Sequence, residues 1–381
     1  MPHTSSKRNR SMKVLSDAGV LRGKRVLLRL DLNVPVVGDE IRDDFRIKQS
    51  LPTLQTLTQQ GAKVIVLAHM ENSETVSLER VARYLNDHLK VSFVKTLEEL
   101  QQIVPTLKEG GVVLFENLRL YDGEKNNDKA FAESLARLGD IYVNDAFSVS
   151  HREHASVVGI PRLLPSFAGP LLEREVRELS VAFNPPHPFL FILGGAKFDT
   201  KLPLIEKFLT IADNVFIGGA LANDIFKEKG FEVGFSVVSK KHVNLKPIIS
   251  NKKLIIPKDV VVANPLNSRI TRPDGSPSAD EKILDAGPET IASLSDLLTE
   301  TKCVVWNGPL GDYEHGFSKG TEGLARAIVE SGVQSIVGGG DTVAVLRDIG
   351  LLDKFSFVST GGGAMIDFLA QGTLPGIEAL K

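Results

Sequence analysis

The sequence predicts an α/β protein of two domains, each built on a parallel sheet with helices on both faces. Three observations carry that expectation. Short apolar runs bounded by Gly, Asp or Asn alternate with longer amphipathic stretches along the chain, the rhythm of repeated strand–helix units. The chain has 381 residues, enough for two ordinary domains. A proline-rich break, Phe183-Asn184-Pro185-Pro186-His187-Pro188, divides the rhythm near its middle, because prolines stop any helix there.

In chain order, the first half offers strands near Arg25–Leu30, Lys63–Ala68, Val91–Val94, Val112–Phe115 and Ile141–Asn144. Helical spacing of apolar residues falls between them, at 46–60 and 78–89. Pro170–Val181 (PLLEREVRELSV) reads as one amphipathic helix, with Leu171, Leu172, Val176 and Leu179 on one face. It is expected to lead into the rigid proline linker and then the second domain. There the strands fall near Phe189–Leu193, Asn214–Ile217, Lys253–Ile256, Cys303–Trp306, Ser335–Val337 and Phe355–Val358. Pro375 and Gly376 turn the tail into a short return segment.

Composition narrows the function. Hydrophobic residues at 42% and charged residues at 24% describe a globular chain with a real core. A net charge of −2 gives no global field for nucleic acid or an anionic membrane. No apolar run of about 18 residues, the length a membrane span needs, appears. Cys303 is the one cysteine, so an intrachain disulfide is excluded and a reducing cytoplasm is expected. The opening MPHTSSKRNR lacks the apolar stretch of a secretory signal. Its basic Lys7, Arg8 and Arg10 read as a solvated end rather than a nucleic-acid arm.

Four glycine clusters directly follow expected strands in the second half: Gly194-Gly195, Gly218-Gly219, Gly338-Gly339-Gly340 and Gly361-Gly362-Gly363. Ligands of open α/β sheets bind where strands end and helices begin. Glycine lets backbone approach a ligand, and free N–H groups at a helix start favour anions. Tight turns alone also use glycine, but four such turns in one domain point to a phosphate site. Lys197 and Lys201 follow the first cluster at i and i+4, which predicts one shared helix face. Cations there oppose the helix dipole, a placement that makes sense with an anion between them. Asp341, with Thr342 after it, is either an ordinary N-cap or a Mg²⁺ ligand beside a polyphosphate. The G-x-x-x-x-G-K-[ST] loop is absent and no G-x-G-x-x-G opens a helix, which disfavours hydride transfer.

The first half carries the complementary pattern. Arg29, Asp31 and Asn33 lie in RLDLNVP, Arg46 at a helix start, His69 after a strand, Arg119 in FENLRL, and His151-Arg152 after NDAFSVS. Strand alternation would point Arg29, Asp31 and Asn33 the same way. Guanidiniums hold carboxylate or phosphate bidentately, while Asp and Asn can read a hydroxyl. Together they predict a pocket for a small anion.

These residues sit in a series that resembles the phosphoglycerate kinase family: RLDLNVP (29–35), FENLRL (115–120), NDAF…HR (144–152), LGGAKFDTK (193–201), WNGPLGDYE (306–314), GGGDT (338–342) and STGGGA (359–364). The resemblance covers roughly residues 13–380, in family order. It implies two Rossmann-like domains joined by a hinge helix. The implied boundaries are a disordered tail at 1–12, a phosphoglycerate-binding domain at 13–169, a helix and linker at 170–188, a nucleotide-binding domain at 189–365, and a segment at 366–381 returning to the first domain. It implies reversible transfer of the phosphoryl group of 1,3-bisphosphoglycerate to MgADP, giving 3-phosphoglycerate and MgATP, in a cytoplasmic monomer. By motif position, Asp31, Asn33, Arg46, Arg119 and Arg152 would hold phosphoglycerate, with Arg29, His69 and His151 in the same basic patch. Gly194, Gly218, Gly219, Lys197, Lys201, Asn307, Pro309, Glu314 and Gly338–Thr342 would hold the nucleotide, Glu314 at the ribose and Asp341 on Mg²⁺. Arg46, Lys201 and the amides of Gly339 and Gly362 would surround the charge of the moving group.

The chain departs from the family pattern where His69 is followed by Met70-Glu71-Asn72-Ser73 instead of Leu-Gly-Arg-Pro. One substrate arginine is gone and an acid stands nearby. Losing a charge-assisted contact costs about 1.5–3 kcal/mol, or roughly ten- to a hundredfold in affinity. Ser148-Val149-Ser150 also replaces the small-residue step before His151-Arg152, and Phe198-Asp199 is unusual inside the lysine loop. The nucleotide half therefore matches better than the substrate half. An active kinase with a weakened substrate site is the leading expectation. A diverged nucleotide-binding protein with a regulatory or interaction role is the alternative. The same chemistry on another acyl phosphate has less support, because Asp31 and Asn33 persist.

Overall fold

The computed structural model describes residues 12–71, 76–240, 244–265, 267–275 and 277–381. The basic tail with Lys7, Arg8 and Arg10, Asn72-Ser73 of the altered loop, and the Asp199 side chain lie outside what is described. The chain divides into two compact units, Met1–Arg177 with Thr373–Lys381, and Glu178–Gly372.

The first unit contains β1 (Arg25–Arg29), β2 (Val36–Val37), β3 (Glu40–Ile41), β4 (Lys63–Leu67), β5 (Val91–Val94), β6 (Val112–Phe115), β7 (Ile141–Asn144) and β8 (Ser166–Ala168). Six of them form a parallel sheet in the order β5-β6-β4-β1-β7-β8, and β2 and β3 pair as a hairpin. The strands are nearly continuous apolar runs because both faces are covered. Val26, Leu28, Val64 and Val66 pack against Ile47, Leu54 and Leu57 of the helix Phe45–Gln59. Arg29 lies level with Leu67 of β4 and Asn144 of β7. The loops after these strands, carrying Asp31, His69 and Arg152, therefore leave from one carboxyl edge.

The last residues belong to this unit. Gly376 N donates to Ser150 O at 2.8 Å, and Ala379 packs against Ala146, Val149, Val157 and Val158. A Cβ on Gly376 would stand 2.8 Å from Val157 and 2.9 Å from Ser150, so the segment closes down only as glycine. This contact braces the loop that ends in His151 and Arg152.

The second unit contains β9 (Phe189–Leu193), β10 (Asn214–Ile217), β11 (Leu254–Ile255), β12 (Val260–Ala263), β13 (Ser268–Thr271), β14 (Lys282–Ala286), β15 (Cys303–Asn307), β16 (Gln334–Gly338) and β17 (Phe357–Val358). The parallel sheet runs β11-β10-β9-β15-β16-β17. Its strand order reverses between β9 and β15, the place where open α/β sheets bind ligands. A separate antiparallel sheet, β13-β12-β14, departs from the all-parallel expectation. Its edge strand Ser268–Thr271 is mostly exposed and carries no apolar run for the sequence to betray.

The helix Pro170–Ser180 carries the chain from one unit into the other. Its start is fixed within the first unit, where Asp145 Oδ1 accepts from Leu171 N at 2.8 Å and Leu172 N at 3.0 Å. A side-chain acceptor there satisfies donors that the first helical turn leaves free.

Candidate active site

The first unit gathers its cations beyond the ends of β1, β4, β6 and β7. Arg29 is fully buried and its guanidinium is spent internally. Nε donates to Ser156 Oγ at 2.9 Å, Nη1 to Leu30 O, and Nη2 lies 3.3 Å from His69 Nδ1. An arginine can only donate, so His69 Nδ1 accepts and the imidazole proton sits on Nε2. Burial first, and then the Arg29 charge, hold His69 well below its ordinary pKa, which keeps the ring neutral near pH 7. Arg29 thus stands behind the pocket wall, not on it. β1 also ends at Arg29, so Asp31 and Asn33 follow the strand and do not extend its alternation.

Asp31 is almost completely buried. Burial alone would raise its pKa, but Arg46 at 3.1 Å and hydrogen bonds from Ser148 Oγ and Asn33 N outweigh that and lower it. Arg46 Nη1 also donates to Asn33 O at 2.9 Å. Asn33 Oδ1 accepts from Glu71 N at 2.8 Å, tying the β1 loop to the β4 loop.

Asn117 holds the next pair of loops. Its Oδ1 accepts from Met70 N at 3.1 Å and Arg119 N at 2.9 Å, and its Nδ2 donates to Met70 O at 2.8 Å and Val76 O at 2.7 Å. The Arg119 side chain is only 5% exposed, yet among the described residues it pairs with Glu71 alone, through Nη1. Among the described residues its Nε and Nη2 find no acceptor. The other Glu71 oxygen lies 3.6 Å from Arg152 Nη1, and Arg152 Nε lies 3.4 Å from His151 Nε2. Arg29, His69, Arg119 and Arg152 are close enough to act on one another electrostatically. His154, which the sequence reading passed over, joins them. Burial and the neighbouring Arg119 and Arg152 push it down to about 4.

The second unit presents five loops at the carboxyl edge of its sheet. They follow β10, β9, β15, β16 and β17 at Gly218, Gly194, Gly308, Gly339 and Ser359. Several glycines are required by mutual packing. A Cβ on Gly194 would lie 2.2 Å from Pro309 O, on Gly219 2.7 Å from Gly195 N, on Gly218 2.7 Å from Phe216, and on Gly338 2.4 Å from Met365 Sδ. A Cβ on Gly362 would lie 3.3 Å from Gly339 Cα. Gly340 is different. Nothing stands within 4 Å of its missing Cβ, its φ is ordinary, and it opens the helix Gly340–Asp348. Neither packing nor backbone geometry asks for glycine there, whereas a close backbone ligand would.

Lys197 is not on the helix that the spacing predicted. The helix begins at Phe198, and Lys197 precedes it with φ +67°, a left-handed conformation costly for a side-chain-bearing residue. Lys201 is inside the helix and donates from Nζ to Gly194 O at 2.8 Å. Burial lowers its pKa to about 8, with Asp341 opposing that shift and Lys197 adding to it. Asp341 is raised by burial and by Glu314 and Asp312, and lowered by Lys201. Thr342 Oγ1 is buried without a partner among the described residues.

Gly195, Lys197, Gly219, Pro309, Glu314 and Asp341 line one pocket. Its apolar side comes from Phe226, Val237, Val260 and Leu310. The sequence did not mark them as a wall: Phe226 lies on the helix Ala220–Glu228, Val260 on the unforeseen antiparallel sheet, Val237 in a loop, and Leu310 inside a motif read for its polar residues. Asn307, by contrast, is buried against Met365 and hydrogen-bonds Gly194 through its carbonyl. Among the described residues no group of three or more His, Cys, Asp or Glu could hold a metal ion. A cation accompanied by its own phosphate oxygens needs less, and Asp341, pressed by two further carboxylates, is the group that gains from one.

A protein-family model described as phosphoglycerate kinase matches residues 15–372. The phosphoglycerate kinase of Orientia tsutsugamushi (strain Ikeda) is 40% identical over 394 residues, covering 97% of each chain. That of Zymomonas mobilis is 40% identical over 395 residues, covering 97% of this chain and 100% of the relative. The phosphoglycerate kinase structure from Coxiella burnetii superposes with TM-score 0.83 at 36% identity, over 97% of this chain and 98% of that one. The Pyrococcus horikoshii structure gives 0.85 at 30% identity, with the same coverage.

Proposed function

This chain belongs to the phosphoglycerate kinase family, and on that premise we propose how its residues move a phosphoryl group between 1,3-bisphosphoglycerate and MgADP. What supports the assignment of parts is one pairing. One parallel sheet ends in a guanidinium cluster with buried acceptors, and the other ends in a glycine cradle with two lysines.

On the first unit, Arg119, Arg152 and the Nε2–H of His69 receive the anionic end of phosphoglycerate, with His151 beside them. Asp31 and Asn33 read its hydroxyl. Arg46 reaches the group in transfer. Arg29 acts through His69 as a positioning residue. On the second unit, Lys197 and the amides of Gly219 and Gly340 hold the nucleotide phosphates, and Glu314 binds the ribose hydroxyls. The apolar wall of Phe226, Val237 and Leu310 takes the base. Gly194, Gly218, Asn307, Gly338 and the buried Thr342 support the cradle from behind, with Pro309 at its rim. Mg²⁺ entering with the nucleotide would be held by Asp341 and phosphate oxygens, and would offset the phosphate charge.

The moving phosphoryl group spreads charge over three oxygens, so the work is positioning and charge stabilisation. Arg46, Lys201 and the amides of Gly339 and Gly362 supply donors for that charge. No covalent intermediate on the protein is needed. The two sets of groups belong to different units, and on this reading a hinge movement precedes transfer. We assign the hinge to Pro170–Pro188, and closure also excludes water. A cytoplasmic monomer is the companion proposal. The lone cysteine, Cys303, is buried, which raises its pKa to about 11, and no described helix is long and apolar enough to cross a membrane.

The test is the kinetic signature of Arg46→Ala and Lys201→Ala in the reverse direction, with 3-phosphoglycerate and MgATP. Each is expected to lower kcat by about 10²–10³, the usual loss for a transition-state donor. Arg46→Ala should still bind MgADP normally. Wild-type rates in both variants would remove these residues from the mechanism.

A further inference from the structure

Glu71 occupies a place in the cation cluster that nothing in the phosphoryl transfer above uses. One of its carboxylate oxygens pairs with Arg119 Nη1 and the other lies 3.6 Å from Arg152 Nη1, so it spans both guanidiniums as an incoming anion would. The pairing is incomplete. Arg119 is 5% exposed and among the described residues keeps Nε and Nη2 unpartnered, although a carboxylate or phosphate can accept from a guanidinium fork in two parallel bonds. The Glu71 backbone is pinned by its bond to Asn33, and Met70 before it is held on both sides by Asn117. Its side chain is 46% exposed. The carboxylate therefore stays within reach of the arginines at high effective concentration, yet it can swing into solvent without disturbing the core.

Resting on the phosphoglycerate assignment above, we propose that Glu71 is a resident competitor for the substrate's anionic group. It must leave Arg119 and Arg152 before phosphoglycerate can take them. It sets the substrate's apparent affinity and keeps small anions such as sulfate out of the site. Glu71 engages only one arm of the Arg119 fork, so a substrate phosphate that takes both arms makes a bond Glu71 does not, and the substrate hydroxyl read by Asp31 and Asn33 adds a contact that sulfate lacks.

The experiment compares wild type, Glu71→Gln, Glu71→Ala and Glu71→Asp. KM and kcat for 3-phosphoglycerate are measured at saturating MgATP, the Kd of 3-phosphoglycerate by calorimetry without nucleotide, and inhibition by sulfate. Glu71→Gln and Glu71→Ala should lower KM and Kd by about tenfold or more, the equivalent of one charge-assisted contact. The change should be carried by KM rather than kcat, with KM for MgATP unmoved. Sulfate inhibition should strengthen, and Glu71→Asp should lie closer to wild type. An unchanged or raised KM and Kd in Glu71→Gln would overturn the proposal and make Glu71 a strut that orients Arg119. Absence of turnover in wild type would instead strike at the kinase reading. The calorimetric comparison still decides the role of Glu71 in that event.

Discussion

Lys201 shows how one side chain trades stability for chemistry. Burial lowers its pKa from 10.5 to about 8, so the native protein binds the lysine proton less tightly than the unfolded chain does. Below about pH 8 the folded state carries a poorly solvated charge, and this penalty is relieved as pH rises from about 8 towards 10.5. Two outcomes are expected. The kcat/KM for nucleotide should fall on an alkaline limb with midpoint about 8, because the free enzyme needs the charged amine. Lys201→Met should be nearly inactive at pH 7 and yet melt roughly 2–6 °C higher without ligand. Scanning calorimetry and a pH–rate profile check both, and a Lys201→Met variant that melts lower would mean that the bond to Gly194 O outweighs the burial cost. A motif arginine such as Arg29 can lie wholly inside the wall and serve by fixing the tautomer of His69.

At the scale of elements, the glycine loops separate into two kinds. Gly194, Gly218, Gly219 and Gly338 are crowded by neighbouring loop backbone or by the Phe216 and Met365 side chains, and Gly339 also sits at φ +106°. Gly340 has open space and an ordinary φ. Gly339→Ala should therefore cost about 1–3 kcal/mol of stability from backbone strain. Gly340→Ala should leave stability unchanged or raise it by up to about 1 kcal/mol, as helix propensity dictates, while weakening MgADP binding by about tenfold. Denaturant titration beside nucleotide calorimetry distinguishes them, and normal nucleotide affinity in Gly340→Ala would take the phosphates away from that helix start. The glycines were visible in the sequence as one class, since each follows an apolar strand. What divides them is the approach of Pro309, Met365 and Phe216, which no local pattern carries. Ser268–Thr271 escaped for a related reason, being a short, exposed edge strand that pairs antiparallel with Val260–Ala263.

Across the whole molecule, all but one of the described strands of the two parallel sheets were legible to within a residue or two. Buried parallel strands must be apolar runs, and Phe189–Leu193 and Val112–Phe115 fall where their runs do. The short strand Ser166–Ala168 was not, because three residues carry no period. The altered loop after His69 stood out as a departure, but its meaning depended on partners 48 and 81 positions away, at Arg119 and Arg152. Spacing could flag an intruding acid without showing that it sits between two arginines. In the proposed reaction, two binding halves on two units carry out one phosphoryl transfer. The most direct test supplies the wild-type protein with 3-phosphoglycerate and MgATP and follows 1,3-bisphosphoglycerate through coupled NADH oxidation. Turnover is expected to saturate in both substrates, with a KM for 3-phosphoglycerate that Glu71 holds high. Tight MgADP binding with no NADH oxidation at millimolar 3-phosphoglycerate would contradict that expectation.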